Sequence, residues 1–368
     1  MARTPTRGRW VCAGLVLLTV LFYAPFLDGD WIYEDSNWQA AIGDPATPWT
    51  PPTRALTLQV YHGISLIAGR EPELYRATTL ALHALNGGLV YAVALALPVS
   101  APAALWATGI FLLHPLNSEA VRYATGLGDV LVTTFLLLAV WLSLGRPAAW
   151  RWLLVSVALL GAAVSKETGL IGLPLVALTL ALWRSRLAAS MLVAPLWMAV
   201  GVIAGLSYLK ILAWVDLSPY AGGSFFSWPE YALLQLVAVW RLLALVPWPD
   251  GFSIDHDVVG LAPPIGILAV LATIQAVALV ALCWRRAPLV AWSLSLVAIA
   301  LAPRFLFQTN EFVAERQMMT AMVGVSILVG AGTARLWAYR PQPSVLREFL
   351  AVYWQEWTLS GLGTKGHT

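Results

Sequence analysis

Long apolar stretches separated by short polar ones recur along the whole chain. Ten are long enough, or nearly so, to cross about 30 Å of hydrocarbon, which takes roughly 20 helical residues. They cover 10–27, 77–97, 101–116, 127–145, 150–165, 168–184, 187–208, 264–284, 287–303 and 317–338, the fifth being the shortest. Backbone polar groups in lipid must be satisfied within a segment, so each is expected to be a helix. The pattern predicts an all-α polytopic membrane protein with about ten transmembrane helices spread over residues 1–338, and a short cytoplasmic tail, 339–368. No soluble domain is left to place.

Composition narrows this picture. With 59% hydrophobic and 11% charged residues, a soluble protein of 368 residues could not cover its surface with polar groups. The lipid bilayer is thus the expected solvent and first partner, and nothing in the pattern calls for nucleic acid. Arg3, Arg7 and Arg9 precede the first apolar run as in a signal peptide, but Tyr23-Ala24-Pro25-Phe26 offers no small-x-small cleavage site. This run is expected to be an uncleaved first crossing. Cys12 and Cys283 both lie in apolar runs, which argues against a disulfide.

Charge distribution says more than the net charge of +3. With the amino terminus inside, Arg146 and Arg151, Arg184 and Arg186, Arg285 and Arg286, and Arg335, Arg340 and Arg347 all fall on the cytoplasmic side, as the positive-inside rule requires. The carboxyl terminus is then cytoplasmic as well. Glu348 and Glu356 are the cytoplasmic acids on this assignment, and every other Asp and Glu faces outward. Residues 231–246 are apolar enough to cross, yet counting them as a span would invert Arg285, Arg286 and the tail. They are expected to lie along the outer interface, anchored by Trp228, Trp240 and Trp248, with residues 54–67 as a second interfacial helix.

The outer segments hold the candidate chemistry. Glu34 and Asp35 follow the first crossing, where a carboxylate meets water and headgroups and can deprotonate an acceptor whose co-substrate is anchored in the membrane. A solvated acidic loop end is the plainer reading of the same pair. His114, Glu119, Arg122 and Asp129 gather between two apolar runs. His114 and Glu119 are candidates for a metal or for orienting an acceptor, and Arg122 for holding a phosphate; a capped helix start is the plainer alternative. Lys166-Glu167 interrupts two apolar helices, where a charge costs roughly 2.5–3.5 kcal/mol on insertion scales, so a lipid phosphate on Lys166 competes with a plain salt bridge. Asp255 and Asp257 flank His256 and, with Asp129, are further candidates for a metal or an acceptor, and Arg304 and Arg316 lie between the last two crossings. A guanidinium fork matches phosphate oxygens, which makes these two arginines the other phosphate candidates.

Taken in order, these segments resemble the membrane core of the GT-C glycosyltransferases, most closely the transmembrane and tetratricopeptide-repeat O-mannosyltransferases and their bacterial relatives. Tyr33-Glu34-Asp35 resembles that family's acidic pair, and Arg54-Ala55-Leu56 its Arg-Pro-Leu. Tyr75 with Leu82-His83-Ala84-Leu85-Asn86 is similar to its second-helix pattern, and His114-Pro115 through Glu119-Ala120-Val121 to its His-Pro-x-x-x-Glu-Ala-Val. Ser165-Lys166-Glu167, Trp240-Arg241 with Asp255-His256-Asp257, and Glu315-Arg316 echo the remaining signatures. Two departures stand out. Glu34 replaces the first Asp of the pair, and Gly126-Leu127-Gly128-Asp129 lacks the family's Gly-Arg, a basic contact for which Arg122 is the substitute at hand. After Tyr339 about thirty residues remain, fewer than the 34 of one repeat, so acceptor recognition is expected from the outer loops or a partner.

The resemblance implies an inverting transfer of sugar from a polyprenyl phosphate-linked donor to a hydroxyl of a protein or an envelope glycan or lipid, on the outer side of the membrane. Asp35 would be the base, assisted by Glu34, and Lys166, Arg304 or Arg316 would hold the departing phosphate. The sequence requires no cofactor and leaves room for a divalent metal. Its Ala, Arg and Trp usage points to a bacterial inner membrane. Two other readings use the same charges: a transporter or flippase for a lipid-linked or anionic solute, whose ionisable groups would be expected nearer the midplane, and a GT-C-shaped scaffold without catalysis.

Overall fold

The computed structural model describes residues 6–28, 30–31, 54–146, 148–183, 201, 227–252, 263–306 and 313–339. These are helical, with no strand among them. Twelve α-helices follow in order: α1 (Thr6–Tyr23), α2 (Ala55–Ala68), α3 (Pro72–Ala96), α4 (Ala101–Leu113), α5 (Ser118–Arg122), α6 (Leu127–Leu144), α7 (Ala149–Ser165), α8 (Gly172–Trp183), α9 (Trp228–Ala244), α10 (Pro263–Arg286), α11 (Pro288–Leu301) and α12 (Met318–Ala338).

Local sequence sets several boundaries. Proline occupies the first turn of α3, α4, α9 and α11, where its missing N–H costs no helical bond. Ser100 caps α4 by accepting from Ala103 N, and Ser227 and Glu230 form a reciprocal capping box on α9. The end of α4 is set by Pro115, which has no N–H to offer Phe111 O four residues back. Asn117 Nδ2 takes that carbonyl at 2.6 Å. The next donor, Leu116 N–H, turns to His114 Nδ1 at 3.2 Å, and Leu112 O is bonded instead by His83 Nε2 at 3.1 Å. Two polar side chains buried in the bundle are thereby explained as partners for the orphan carbonyls of a helix end.

The centre of the bundle is α4, packed between α3 and α12, with α6 against α3 and α7 and α11 against α12. Phe111, Leu112, Val90, Trp292, Met318 and Met322 are core members. Gly330 lets α12 meet α4 backbone to backbone: a Cβ there would lie 2.6 Å from Ala107 N.

Six described helices are long and apolar enough to cross a membrane, within Gly8–Phe26, Pro72–Ala96, Leu127–Leu144, Pro264–Arg286, Pro288–Phe305 and Glu315–Ala338. The chain is therefore a multi-pass membrane protein, and six of the expected ten crossings meet these criteria among the described residues. Residues 101–116, 150–165 and 168–184 instead form the shorter apolar helices Ala101–Leu113, Ala149–Ser165 and Glu167–Trp183. The reason is local: His114-Pro115 ends the first, and an extended Lys166 separates the other two. At about 1.5 Å per residue, the 13 residues of α4 reach only about 20 Å. The expected crossing at 187–208 lies outside the described residues. Lipid contact is plainest on α10, where Ile267, Leu268 and Leu282 are 61–66% exposed, a surface that water would not tolerate over such a length.

The two expected interfacial segments are both helical. On α2, Thr57, Tyr61 and Ile64 face the protein while Leu66 and Ile67 are exposed. On α9 the buried face is Tyr231, Leu234, Gln235, Ala238 and Leu242. This helix runs beside the first half of α10 in the same direction. Leu233 meets Gly266, and seven residues later Trp240 Nε1 donates to Thr273 Oγ1 at 2.9 Å. Of its three expected anchors, Trp228 and Trp248 are exposed, whereas Trp240 has spent its N–H on α10.

Charge divides the bundle by its ends. Apart from Glu230 and Asp250, which flank α9, every described Asp and Glu lies at the end where α1, α4, α7 and α11 finish and α3, α6 and α12 begin. Arg9, Arg146, Arg151, Arg285, Arg286 and Arg335 lie at the other, which has no acidic residue among those described.

Candidate functional site

Among the described residues, three ion pairs between segments far apart in sequence hold the acidic end together. Lys166 links α7 to a short 3-10 turn and adopts an extended backbone (φ −161°, ψ 152°), which sends successive side chains to opposite sides. Lys166 Nζ donates to both carboxylate oxygens of Asp129 in the first turn of α6, at 2.9 and 2.8 Å. Glu167 receives Arg54 from the start of α2 through Nη2 at 2.6 Å and Nε at 3.0 Å. Gly128 lies against this junction: a Cβ there would sit in ordinary contact, at 3.6 Å, with the Lys166 chain, Ser165 O and Thr57 Oγ1. Thr57 adds a bond of 2.6 Å to Ser165 O.

Charges therefore alternate from Asp129 to Lys166, Glu167 and Arg54. Burial pushes the Glu167 carboxyl up, but the Arg54 guanidinium beside it draws it down and prevails, leaving it at about 2. The same carboxylate raises Arg54 further above its ordinary value against the effect of burial.

The third pair joins α5 to the start of α12. Glu119 accepts the backbone N–H of Arg316 at 2.9 Å and its Nη1 at 2.7 Å, a charge-assisted two-point contact. Its setting depends on Gly126, where a Cβ would fall 2.1 Å from Ala120 O, so the chain between α5 and α6 can close this tightly only without a side chain. Beside this pair, Arg304 is buried and donates through Nε to Gln235 Oε1 at 3.0 Å and through Nη1 to Gln317 Oε1. His114 Nε2 donates to Val246 O at 3.0 Å, tying the end of α4 to the end of α9.

Around the mouth of α1 the chain is fixed by residues outside the set of candidate site residues. Arg76, 2% exposed on α3, donates to Leu27 O at 3.2 Å and to Asp30 O. Trp31 Nε1 donates to Arg70 O at 2.8 Å, and its ring lies 5.3 Å from that of Tyr75. Tyr75 is 5.9 Å from Tyr61, whose hydroxyl donates to Ala124 O at 2.6 Å. The signal for Arg76 was an arginine immediately before the apolar run 77–97, a charge that must find carbonyls or carboxylates when the helix extends to include and bury it.

Of the expected site residues, Glu119 and Arg316 are brought together, as are Asp129 and Lys166, while His114 bonds Val246 O, Arg304 sits among glutamine amides and Arg122 stacks on Phe26. Glu34, Asp35, Asp255 and Asp257 lie outside the described residues. His114 does not fit a metal role as it stands, because one ring nitrogen donates to Val246 O and the other accepts from Leu116 N. Glu119 faces a guanidinium, and no cluster of three or more His, Cys, Asp or Glu side chains suited to an ion occurs among the described residues. The chain matches no known protein family, no curated protein and no solved structure.

Proposed function

We propose that this chain is a membrane glycosyltransferase of the GT-C kind, moving a sugar from a polyprenyl phosphate-linked donor to a hydroxyl acceptor on the outer side of a bacterial inner membrane. The observation that carries the reading is the meeting of separate motif segments at one end of the bundle through Asp129–Lys166, Glu119–Arg316 and Arg54–Glu167. In this reading about ten helices cross the bilayer, both termini are cytoplasmic, and the acidic end faces outward.

The chemistry is a single displacement. The acceptor oxygen bonds to the anomeric carbon as the bond from that carbon to the phosphate oxygen breaks. The hydroxyl proton passes to Asp35, with Glu34 beside it, and the polyprenyl phosphate departs with the bonding pair. Configuration inverts. The chain contributes position, a base and positive charge near the developing phosphate. No step passes through a metal.

Trp31, whose ring packs on Tyr75 and whose Nε1 donates to Arg70 O, precedes Glu34 and Asp35 by three and four residues in the sequence. The acceptor is a protein or an envelope glycan or lipid. Mass spectrometry of envelope glycans and glycoproteins from cells with and without the gene tests the reading: a hexose or similar unit missing from a defined acceptor is expected, and identical profiles would count against it.

A further inference from the structure

The central residue of the span Pro264–Arg286, with eleven residues on either side, is Gln275. It is exposed, and its amide has no hydrogen-bond partner among the described residues. Away from the helix ends, no other exposed amide or charged side chain occurs among the described residues of the six spans. An amide at that depth has no water to bond, and polar side chains there ordinarily turn inward to a partner. Thr133 meets Thr320 in this way, and Trp292 donates to Thr179. Gln275 turns away from the bundle: Gly266 and Thr273 mark the face of α10 that meets α9, and at about 100° per residue Gln275 lies about 180° from Gly266.

The residues around it form a seam. Leu268, Leu271, Gln275, Ala278 and Leu282 are all exposed, at alternating spacings of three and four residues. This is the pattern of a left-handed helix pair, with one polar side chain at an inner position and the small Ala278 beside it.

We propose that two copies of this chain pair through this face of α10, Gln275 against Gln275. Copies of one chain insert in the same direction, so their α10 helices run parallel and hold residue 275 at equal depth, whichever way the bundle is oriented. A glutamine amide carries both an acceptor oxygen and donor N–H groups. Around a two-fold axis along the membrane normal, each Nε2 donates to the Oε1 of the other copy. A different membrane protein would have to bring a polar group to that depth, whereas a second copy supplies one by symmetry. The leucines pack above and below the amides, and Ala278 lets the backbones approach. The pairing does not rest on the proposed sugar transfer. It reaches the charged end through α9, which Trp240 ties to α10 and whose Gln235 accepts from Arg304.

The experiment reconstitutes the full chain, labelled with donor or acceptor fluorophores at the carboxyl terminus, in phosphatidylcholine vesicles and reads energy transfer over a range of protein-to-lipid ratios. Wild type is expected to pair. Gln275→Leu should move the half-pairing ratio about tenfold toward higher protein, and Gln275→Asn less, with melting temperatures unchanged. In a Cys12→Ser, Cys283→Ser background, mild oxidation should join two chains when cysteine replaces Leu271, Gln275 or Ala278. It should not do so when cysteine replaces Val277, which is 64% exposed but about 200° round the helix from Gln275. Energy transfer no greater than that of a monomeric control protein overturns the proposal. So does pairing that Gln275→Leu leaves unchanged, or cross-linking as strong from position 277 as from 275.

Discussion

Lys166 Nζ lies 2.9 and 2.8 Å from the two carboxylate oxygens of Asp129, so the charge that interrupts two apolar helices is neutralised by the first turn of a third. The pair is nearly buried, its side chains 14% and 8% exposed. Removing one member leaves a charge with neither water nor a partner, which typically costs about 3–5 kcal/mol, whereas replacing both with apolar groups can be nearly neutral. Asp129→Asn is therefore expected to lower the melting temperature in detergent markedly, and Asp129→Asn with Lys166→Met to recover part of the loss. A double variant no more stable than the single one would show that the pair is not the source of the effect.

The Arg54–Glu167 pair makes stability depend on acid. The carboxyl lies at about 2 in the folded protein against an ordinary 4.5, so the folded state binds this proton less readily than the unfolded one. Its contribution is fully present above about pH 4.5 and is lost as pH falls toward 2. Thermal midpoints from pH 7 to pH 3 should fall more steeply for wild type than for Glu167→Gln. Parallel curves would remove Glu167 from the acid response.

Gly126→Ala places a Cβ 2.1 Å from Ala120 O, and the obstacle is backbone that cannot rotate away. The substitution is expected to cost about 1–3 kcal/mol, as overpacking does, and to shift α5 and with it Glu119. Limited proteolysis between residues 114 and 129 should accelerate in the variant. Wild-type protection there, at wild-type melting temperature, would contradict the close approach.

Much of this arrangement was legible in the sequence, and the physical reasons are uneven. The division into an acidic and a basic end followed from the loops, because Arg146, Arg285 and Arg335 close their helices on one side and Asp129 and Glu167 open theirs on the other. Helix length was less legible: hydropathy carries 101–116 through as one run, but the absent N–H of Pro115 stops α4 at Leu113. Partner choice was not legible at all. Nothing in one sequence joins Glu119 to Arg316 across 197 residues, or turns His114 from a candidate ligand into a strut between α4 and α9. Arg76 could have been found, since an arginine at the edge of an apolar run calls for acceptors if the helix buries it, though not that these would be Leu27 and Asp30 carbonyls.

The proposal that this chain transfers sugar from a lipid phosphate turns on a base at position 35. The direct measurement is sugar transfer from a polyprenyl phosphate-linked donor by the purified protein in lipid nanodiscs, wild type against Asp35→Asn, with both variants matched for melting temperature. Loss of a positioned general base predicts a fall of about 10²–10⁴-fold in the rate. Transfer by Asp35→Asn at the wild-type rate would contradict it.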